Sequence, residues 1–485
     1  MKVRLLIILT VLLTFVACKE DQVSDDPTLR LSFSADTVAF DTVFTTMGSV
    51  TKQFLVYNRN ANAVVISRIW LDDGEAFKVN VDGESDLDNA SDWLLRGGDS
   101  LIVFVKVFID VTDANSPVLV EDNLHFTVNQ KEQSVHLEAY GQDVHLIKSK
   151  GRLTVRDSYT FEADKPYLIY DTVAVRKQMT FKPGSRLYFH NNALLLAYGD
   201  VDARGTIDEP IILRGDRIDR LYDSVPYAFV SGMWSGVYLM DEKAAPAKTY
   251  DFNYVEILSA NVGLYCYSEK SENLPQLTLT NSRIHNHAVY GLVVQRMDAL
   301  VVNSEISNAA AFCTYLSGGR HTFIHSTIAA YFNSTTVRIQ PVPREDVAAV
   351  YINNVSKNNV PTDATFRNCI VSGVRRNNLV VATPLPKYYE DTISYNYLKA
   401  DTVQTVAAFD NVYWQETDTI EVFRNTFYKY KEYIYYDFRL DSLSPARGIA
   451  DPEIAKRYPY DREGKLRVQY TQTDTIKPDA GCYQY

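Results

Sequence analysis

The chain has 485 residues, 46% of them hydrophobic and 22% charged, enough for two or three domains with a large buried core and too apolar for an intrinsically disordered chain. A formal net charge of -11 and a pI near 5.3, with no Lys/Arg-rich run, argue against a nucleic-acid partner, which needs a basic patch. Lys2 and Arg4 precede an apolar run from Leu5 to Val16. That run is too short to span a bilayer comfortably and reads as a signal-peptide core.

The run ends at Val16-Ala17-Cys18, which resembles the lipobox of bacterial lipoproteins, with Phe15 where Leu is usual. The resemblance implies a signal peptide over residues 1–17, an acylated (palmitate-type) Cys18, and attachment to a membrane without a spanning helix. An ordinary secretory signal is the plain alternative. Lys19-Glu20-Asp21, followed by Asp25-Asp26, resembles the surface-export signal of Bacteroidota lipoproteins. It implies an outer-membrane protein facing the cell exterior; the plain alternative is a solvated tether over residues 18–29.

From Leu31 the pattern has period two: Leu31, Phe33; Val38, Phe40; Phe54, Val56; Val64, Ile66; Leu101, Val103, Val105, Val107; Leu124, Phe126, Val128; Val135, Leu137. Turn signals separate the runs, at Met47-Gly48-Ser49, Asn58-Arg59-Asn60, Asp72-Asp73-Gly74 and Gly97-Gly98-Asp99. Such short alternating strands predict a two-sheet sandwich over residues 30–145. Phe54-Leu55-Val56-Tyr57-Asn58 and the closing Leu137-Glu138-Ala139-Tyr140-Gly141 resemble immunoglobulin-like modules of the cilia-and-centrosome type, which act mostly as spacers or binding arms. Asp72-Asp73 reads as turn chemistry.

Residues 146–436 read as a solenoid. Asn281-Ser282-Arg283-Ile284, Asn303-Ser304-Glu305-Ile306 and His325-Ser326-Thr327-Ile328 repeat one phrase at a spacing of 22 residues, and it recurs at Asn368-Cys369-Ile370-Val371. A period of that size with apolar alternation before each phrase predicts stacked coils, since no coil buries its own apolar face. Asn tolerates left-handed backbone angles, so Asn281, Asn303, His325 and Asn368 form a predicted turn ladder, adjacent members roughly 4.8 Å apart. Earlier, Phe181-Lys182-Pro183-Gly184, Leu194-Leu195-Leu196-Ala197-Tyr198-Gly199 and Trp234-Ser235-Gly236-Val237 resemble the opening coils of the right-handed parallel β-helix, pectin-lyase-like superfamily. The segment from Val337 to Thr362 is a coil or a long excursion from one. Phe438-Arg439-Leu440, Ser444-Pro445-Ala446, Tyr460-Asp461-Arg462 and Pro478-Asp479-Ala480-Gly481-Cys482 resemble the C-terminal closure of bacterial extracellular β-helix proteins, which places a cap over residues 437–485. The chain is thus expected to be all-β.

Candidate chemistry is sparse. Arg283 and Glu305 hold equivalent positions on adjacent coils and predict an inter-coil ion pair. His285, His287, His321 and His325 lack the paired spacing of a metal site, so no metal or other cofactor is expected. Asp200 and Asp202 read as a solvated face, and Arg296 beside Asp298 is the nearest approach to a catalytic pair. Of the superfamily's polygalacturonase signatures none is present: no Asn-Thr-Asp, no Asp-Asp on the solenoid, no His-Gly pair. Cys266 and Cys313 are expected as free buried thiols, and the state of Cys369 and Cys482 stays open. Tyr388, Tyr389, Tyr413, Trp414, Tyr430, Tyr433 and Tyr435 form a candidate interface, because Tyr offers wide apolar area with a polar tip. The reading is a non-catalytic binding or scaffold lipoprotein whose partner is another surface or outer-membrane protein. A polysaccharide-binding or polysaccharide-cleaving solenoid is the alternative.

Overall fold

A computed structural model of the chain describes residues 22–149, 151, 153–221, 226–243, 246–332, 348–353, 360–382, 392–394, 396–400, 408–415, 421–427, 435–470 and 475–485. Cys18, Lys19, Glu20 and Asp21 lie outside them, as does much of the segment 337–362. The chain divides into two compact units, Met1–Val144 and His145–Tyr485. Both are built almost wholly from β-strands.

In the first unit, Ser32–Phe33, Lys52–Tyr57, Ser100–Val107 and Phe77–Val81 form a four-stranded antiparallel sheet. Thr37–Phe44, Lys131–Gln142, Val118–Val128, Val64–Leu71 and Trp93–Leu95 form a five-stranded sheet, in that order. Successive side chains of a strand point to opposite faces, so alternation sets the core: Leu101, Val103, Val105 and Val107 are buried while Ile102, Phe104 and Lys106 are not. Both sheets feed one core, and Phe54 of the first meets Phe126 of the second edge-on at 6.4 Å. The strands Phe77–Val81 and Trp93–Leu95 escape the sequence pattern because each is short and hemmed by turn residues. The Asp122 carboxylate accepts from the backbone N–H of Asp72 and of Gly74, both at 2.9 Å, so the Asp72-Asp73 turn is a structural feature.

The second unit is a stack of parallel coils, compatible with a parallel β-helix. One central coil places Gln276–Thr280 and Tyr290–Gln295 in a 17-stranded sheet and Arg283–His287 in an 11-stranded sheet, and every pairing within these two sheets is parallel. Inward positions stack in columns. Leu279, Val301, Phe323 and Phe366 are in register, all essentially unexposed, and the last two rings stack at 4.8 Å. Thr172–Phe181 is one strand that turns a corner, pairing first with Leu194–Ala197 and then with Asp200–Arg204. A Cβ on Gly199 would lie 1.8 Å from the Lys177 carbonyl oxygen, so only glycine fits there.

Two columns of left-handed residues bend the coils. Tyr254, Asn281, Asn303, His325, Asn368 and Asn411 have φ of 48°, 50°, 50°, 45°, 57° and 49°. Ser259, Asn286 and Asn308, at 59°, 64° and 52°, make a second column that the sequence reading passed over. Asn serves at such corners because its short amide bonds locally and offsets part of the left-handed cost.

Candidate functional site

The segment after residue 435 is a strap along the first turn column, lying beside the coils over several rungs. Asp451 N–H donates to Asn368 Oδ1 at 2.8 Å, Asn303 Nδ2 donates to the Tyr460 carbonyl at 2.8 Å, and Arg467 Nη2 donates to Asn303 Oδ1 at 2.8 Å. Gly481 N–H donates to the Asn368 carbonyl at 2.8 Å, and Arg462 pairs with Glu256 at 2.8 Å. The ladder is therefore also the docking edge of the strap. Asn303 and Asn281 bond to each other at 3.2 Å, and Asn368 donates to His325 Nε2 at 3.0 Å.

Under the strap sits an open hollow of about 400 Å³ lined by Arg283, Glu305, Tyr436, Arg439, Arg462 and Tyr483, among others. Arg283 and Glu305 pair at 3.0 Å, and Glu305 is buried, so this is not a solvated surface pair. Glu305 also accepts from Ser307 Oγ and Tyr483 OH, each at 2.5 Å. Burial alone pushes its carboxyl up, but Arg283 foremost, with Arg462 and Ser307, holds it at about 2.

His285, Ser307 and Glu305 are in contact, and by residue type they suggest a hydrolytic triad. The geometry excludes one. An ionised Glu305 only accepts, so Ser307 spends its proton on Glu305 and its oxygen takes the hydrogen of His285 Nδ1, 2.7 Å away. Ser307 is thus no nucleophile, and it is wholly buried. His285 is held neutral, its pKa driven well below the usual imidazole range by burial and by Arg283, so its 3.7 Å approach to Glu305 is not an ion pair. His287 and His321 are buried and lowered to about 3 by desolvation; His325 is buried and lowered well below the usual imidazole range, by desolvation and by Arg467.

The other candidates are dispersed. Arg296 lies over the Tyr267 ring at 4.8 Å, while Asp298 accepts from Arg320 N–H at 2.8 Å. Asp202 is bound by Arg204 and Asp200 by Thr249 N–H. Cys266, Cys313, Cys369 and Cys482 are all free and buried, and burial raises the last three thiols to about 12, out of reach of ordinary thiolate chemistry.

Of the predicted aromatic interface, Tyr388, Tyr389, Tyr430 and Tyr433 lie outside the described residues. Tyr413 is 48% exposed on the strand Tyr413–Trp414. Trp414 and Tyr435 are half-buried against the core, Tyr435 stacking on Phe229 at 4.9 Å.

The structure brings together a different aromatic set. Leu196, Tyr238, Tyr265, Val293, Tyr315, Tyr351 and Val380 are in register on the outward side of the 17-stranded sheet. Tyr315 and Tyr351 are stacked at 5.5 Å and 6°, Tyr238 and Tyr265 lie 5.0 Å apart, and the next outward column adds Tyr290 and Phe312 at 6.0 Å. All six aromatic rings are half-buried. The two stacked pairs, Tyr315 with Tyr351 and Tyr290 with Phe312, cover one another's faces and offer edges outward. The signal was present in sequence, as Tyr at matching places in successive repeats, but these residues are scattered through the chain and no local cluster marks them.

No protein-family model matches the chain, and no curated protein matches it. Among solved structures, it is similar to a family 123 glycoside hydrolase from Clostridium perfringens at 7% identity, over 24% of this chain and 30% of that one, with a TM-score of 0.18. The Vibrio cholerae VesB protease gives 17% identity over 23% and 31%, with a TM-score of 0.17. The PapD-like domain of human CEP192 gives 10% over 28% and 97%, also at 0.17. The chain spans under a third of the length of the first two. At these scores the likenesses carry no argument about fold or function.

Proposed function

We propose that the protein is a surface-exposed, lipid-anchored outer-membrane protein that works by binding another envelope protein. It would be held through acyl chains on Cys18 and exported through Lys19, Glu20 and Asp21. In this reading the second unit is a right-handed parallel β-helix of the pectin-lyase-like kind, carried with an immunoglobulin-like module. The observation that carries a binding role is the outward ladder Tyr238, Tyr265, Tyr290, Phe312, Tyr315 and Tyr351, a wide half-buried surface of ring edges and hydroxyls. Ring faces are what a sugar stacks on, and here Tyr315 and Tyr351, and Tyr290 and Phe312, turn theirs to each other, so a protein suits this surface better than a glycan. The ionisable groups of the central coils support the same reading, since Glu305, His285 and Ser307 are bound to one another beneath the surface.

The test is gentle detergent extraction of the tagged protein from its native membrane, comparing wild type, Cys18→Ala and a Tyr315→Ala/Tyr351→Ala double variant. A stable outer-membrane protein should accompany the wild type, be lost with Cys18→Ala, and be weakened at least tenfold by the double variant. Recovery of the wild type alone, together with binding or cleavage of acidic polysaccharides, would replace this reading with a carbohydrate-directed one.

A further inference from the structure

We propose that Glu121, His136 and Glu138, on the outward face of the five-stranded sheet in the first unit, bind a divalent transition-metal ion of the zinc class. Their ligand atoms all lie within 4.8 Å of one another. His136 Nε2 is 3.3 Å from Glu121 Oε1 and 3.9 Å from Glu138 Oε2. Ligand atoms around a tetrahedral zinc with bonds of about 2.1 Å sit roughly 3.4 Å apart, so small rotations of two solvent-accessible glutamates close the set, leaving a fourth position for water.

Two independent features point to a cation. Glu121 and Glu138 are direct cross-strand partners, and like charges placed opposite one another destabilise a sheet unless something neutralises them. The tautomer of His136 is also set. Asn123 Nδ2 donates to Asp72 Oδ2 at 2.9 Å, which leaves Asn123 Oδ1 as the acceptor facing His136 Nδ1 at 3.2 Å. Nδ1 therefore carries a hydrogen, and Nε2, the nitrogen left for a metal, faces the two carboxylates. An imidazole oriented in this way beside two carboxylates is a set suited to zinc. The supporting residue Asp72 is itself held by His125 Nε2 at 2.9 Å, so the site's outer shell reaches a second strand pair.

Titration of the untagged full chain in detergent with zinc chloride, followed by calorimetry, tests this. One ion per chain should bind, with at least a tenfold loss of affinity in His136→Ala and in Glu138→Gln, and a loss of about 10–100-fold in Asn123→Ala, which removes only the orienting bond. All three positions are partly exposed, so the zinc-free variants should remain folded by circular dichroism. Absence of zinc binding, unaltered binding in His136→Ala, or retention of protons on both His136 ring nitrogens in saturating zinc by NMR would each overturn the proposal.

Discussion

Asn303 joins two roles, and replacing it with Ala separates them. Its φ of 50° lies in the region that costs an ordinary L-residue about 1–2 kcal/mol. Its amide donates to Asn281 Oδ1 and to the Tyr460 carbonyl, and its oxygen accepts from Arg467 Nη2 at 2.8 Å. Arg467 is wholly buried, burial holds its guanidinium down at about 10, and its Nε and Nη1 have no partner among the described residues. Losing a bond to a buried charge costs about 1.5–3 kcal/mol, and orphaning a neutral carbonyl about 1 kcal/mol. With the backbone term, Asn303→Ala should cost about 3.5–6 kcal/mol. In an Arg467→Met background the charged bond is already gone, and the same change should cost only about 2–3 kcal/mol. The difference is a coupling energy, measured by a double-mutant cycle. Urea unfolding of the full chain, followed at buried Trp234 with Trp70, Trp93 and Trp414 replaced by Phe, supplies all four values. Equal costs in the two backgrounds would refute the claim that the turn ladder is energetically tied to the strap.

Acid should destabilise the second unit early. His287 and His321 are held at about 3, so between pH 6.5 and 3 the unfolded chain binds protons that the folded chain does not. Stability is full above pH 6.5 and falls as pH drops, by about 1.4 kcal/mol per pH unit for each histidine. Glu305, depressed to about 2, adds a further loss below its unfolded value near 4.5. A urea midpoint that stays flat from pH 7.5 to 5 would contradict the burial of these imidazoles. Phe366→Ala removes a ring that is 1% exposed and stacked on Phe323, and should cost about 3–5 kcal/mol, whereas Tyr413→Ala at a half-exposed site should cost under about 1 kcal/mol; parallel urea melts compare them. Gly199→Ala should leave little folded chain by circular dichroism, since the added carbon meets backbone at 1.8 Å; a native-like spectrum would count against the corner geometry.

The stacked character of the second unit is readable because a coil that cannot bury its own face must repeat its apolar pattern at a fixed period. The same phrase that marks the period begins with residues of left-handed φ at 281, 303, 325 and 368. The second turn column was harder to see. Asn286 and Asn308 lie within the strands Arg283–His287 and Glu305–Ala309, flanked by residues that mark no turn. Arg283 and Glu305 are legible as partners from their shared place in the repeat, but their burial is not, because the segment that covers them lies more than 150 residues later and bonds through Arg462 and Tyr483. The aromatic ladder is illegible for a related reason: the local density of Tyr lies after residue 383, while Tyr238, Tyr265, Tyr315 and Tyr351 meet only through inter-coil register.

By itself, then, the sequence determined an all-β chain with alternating strands first and a periodic stack after them, since both follow from local patterns of two and of 22 residues. Tertiary structure alone decided which polar side chains are consumed and which face outward. Whether Glu305 is a catalyst or a buried tie, and whether a Tyr presents its face or its edge, depends on what lies one coil away and on where the last fifty residues return. Those contacts span long sequence separations that no local pattern encodes.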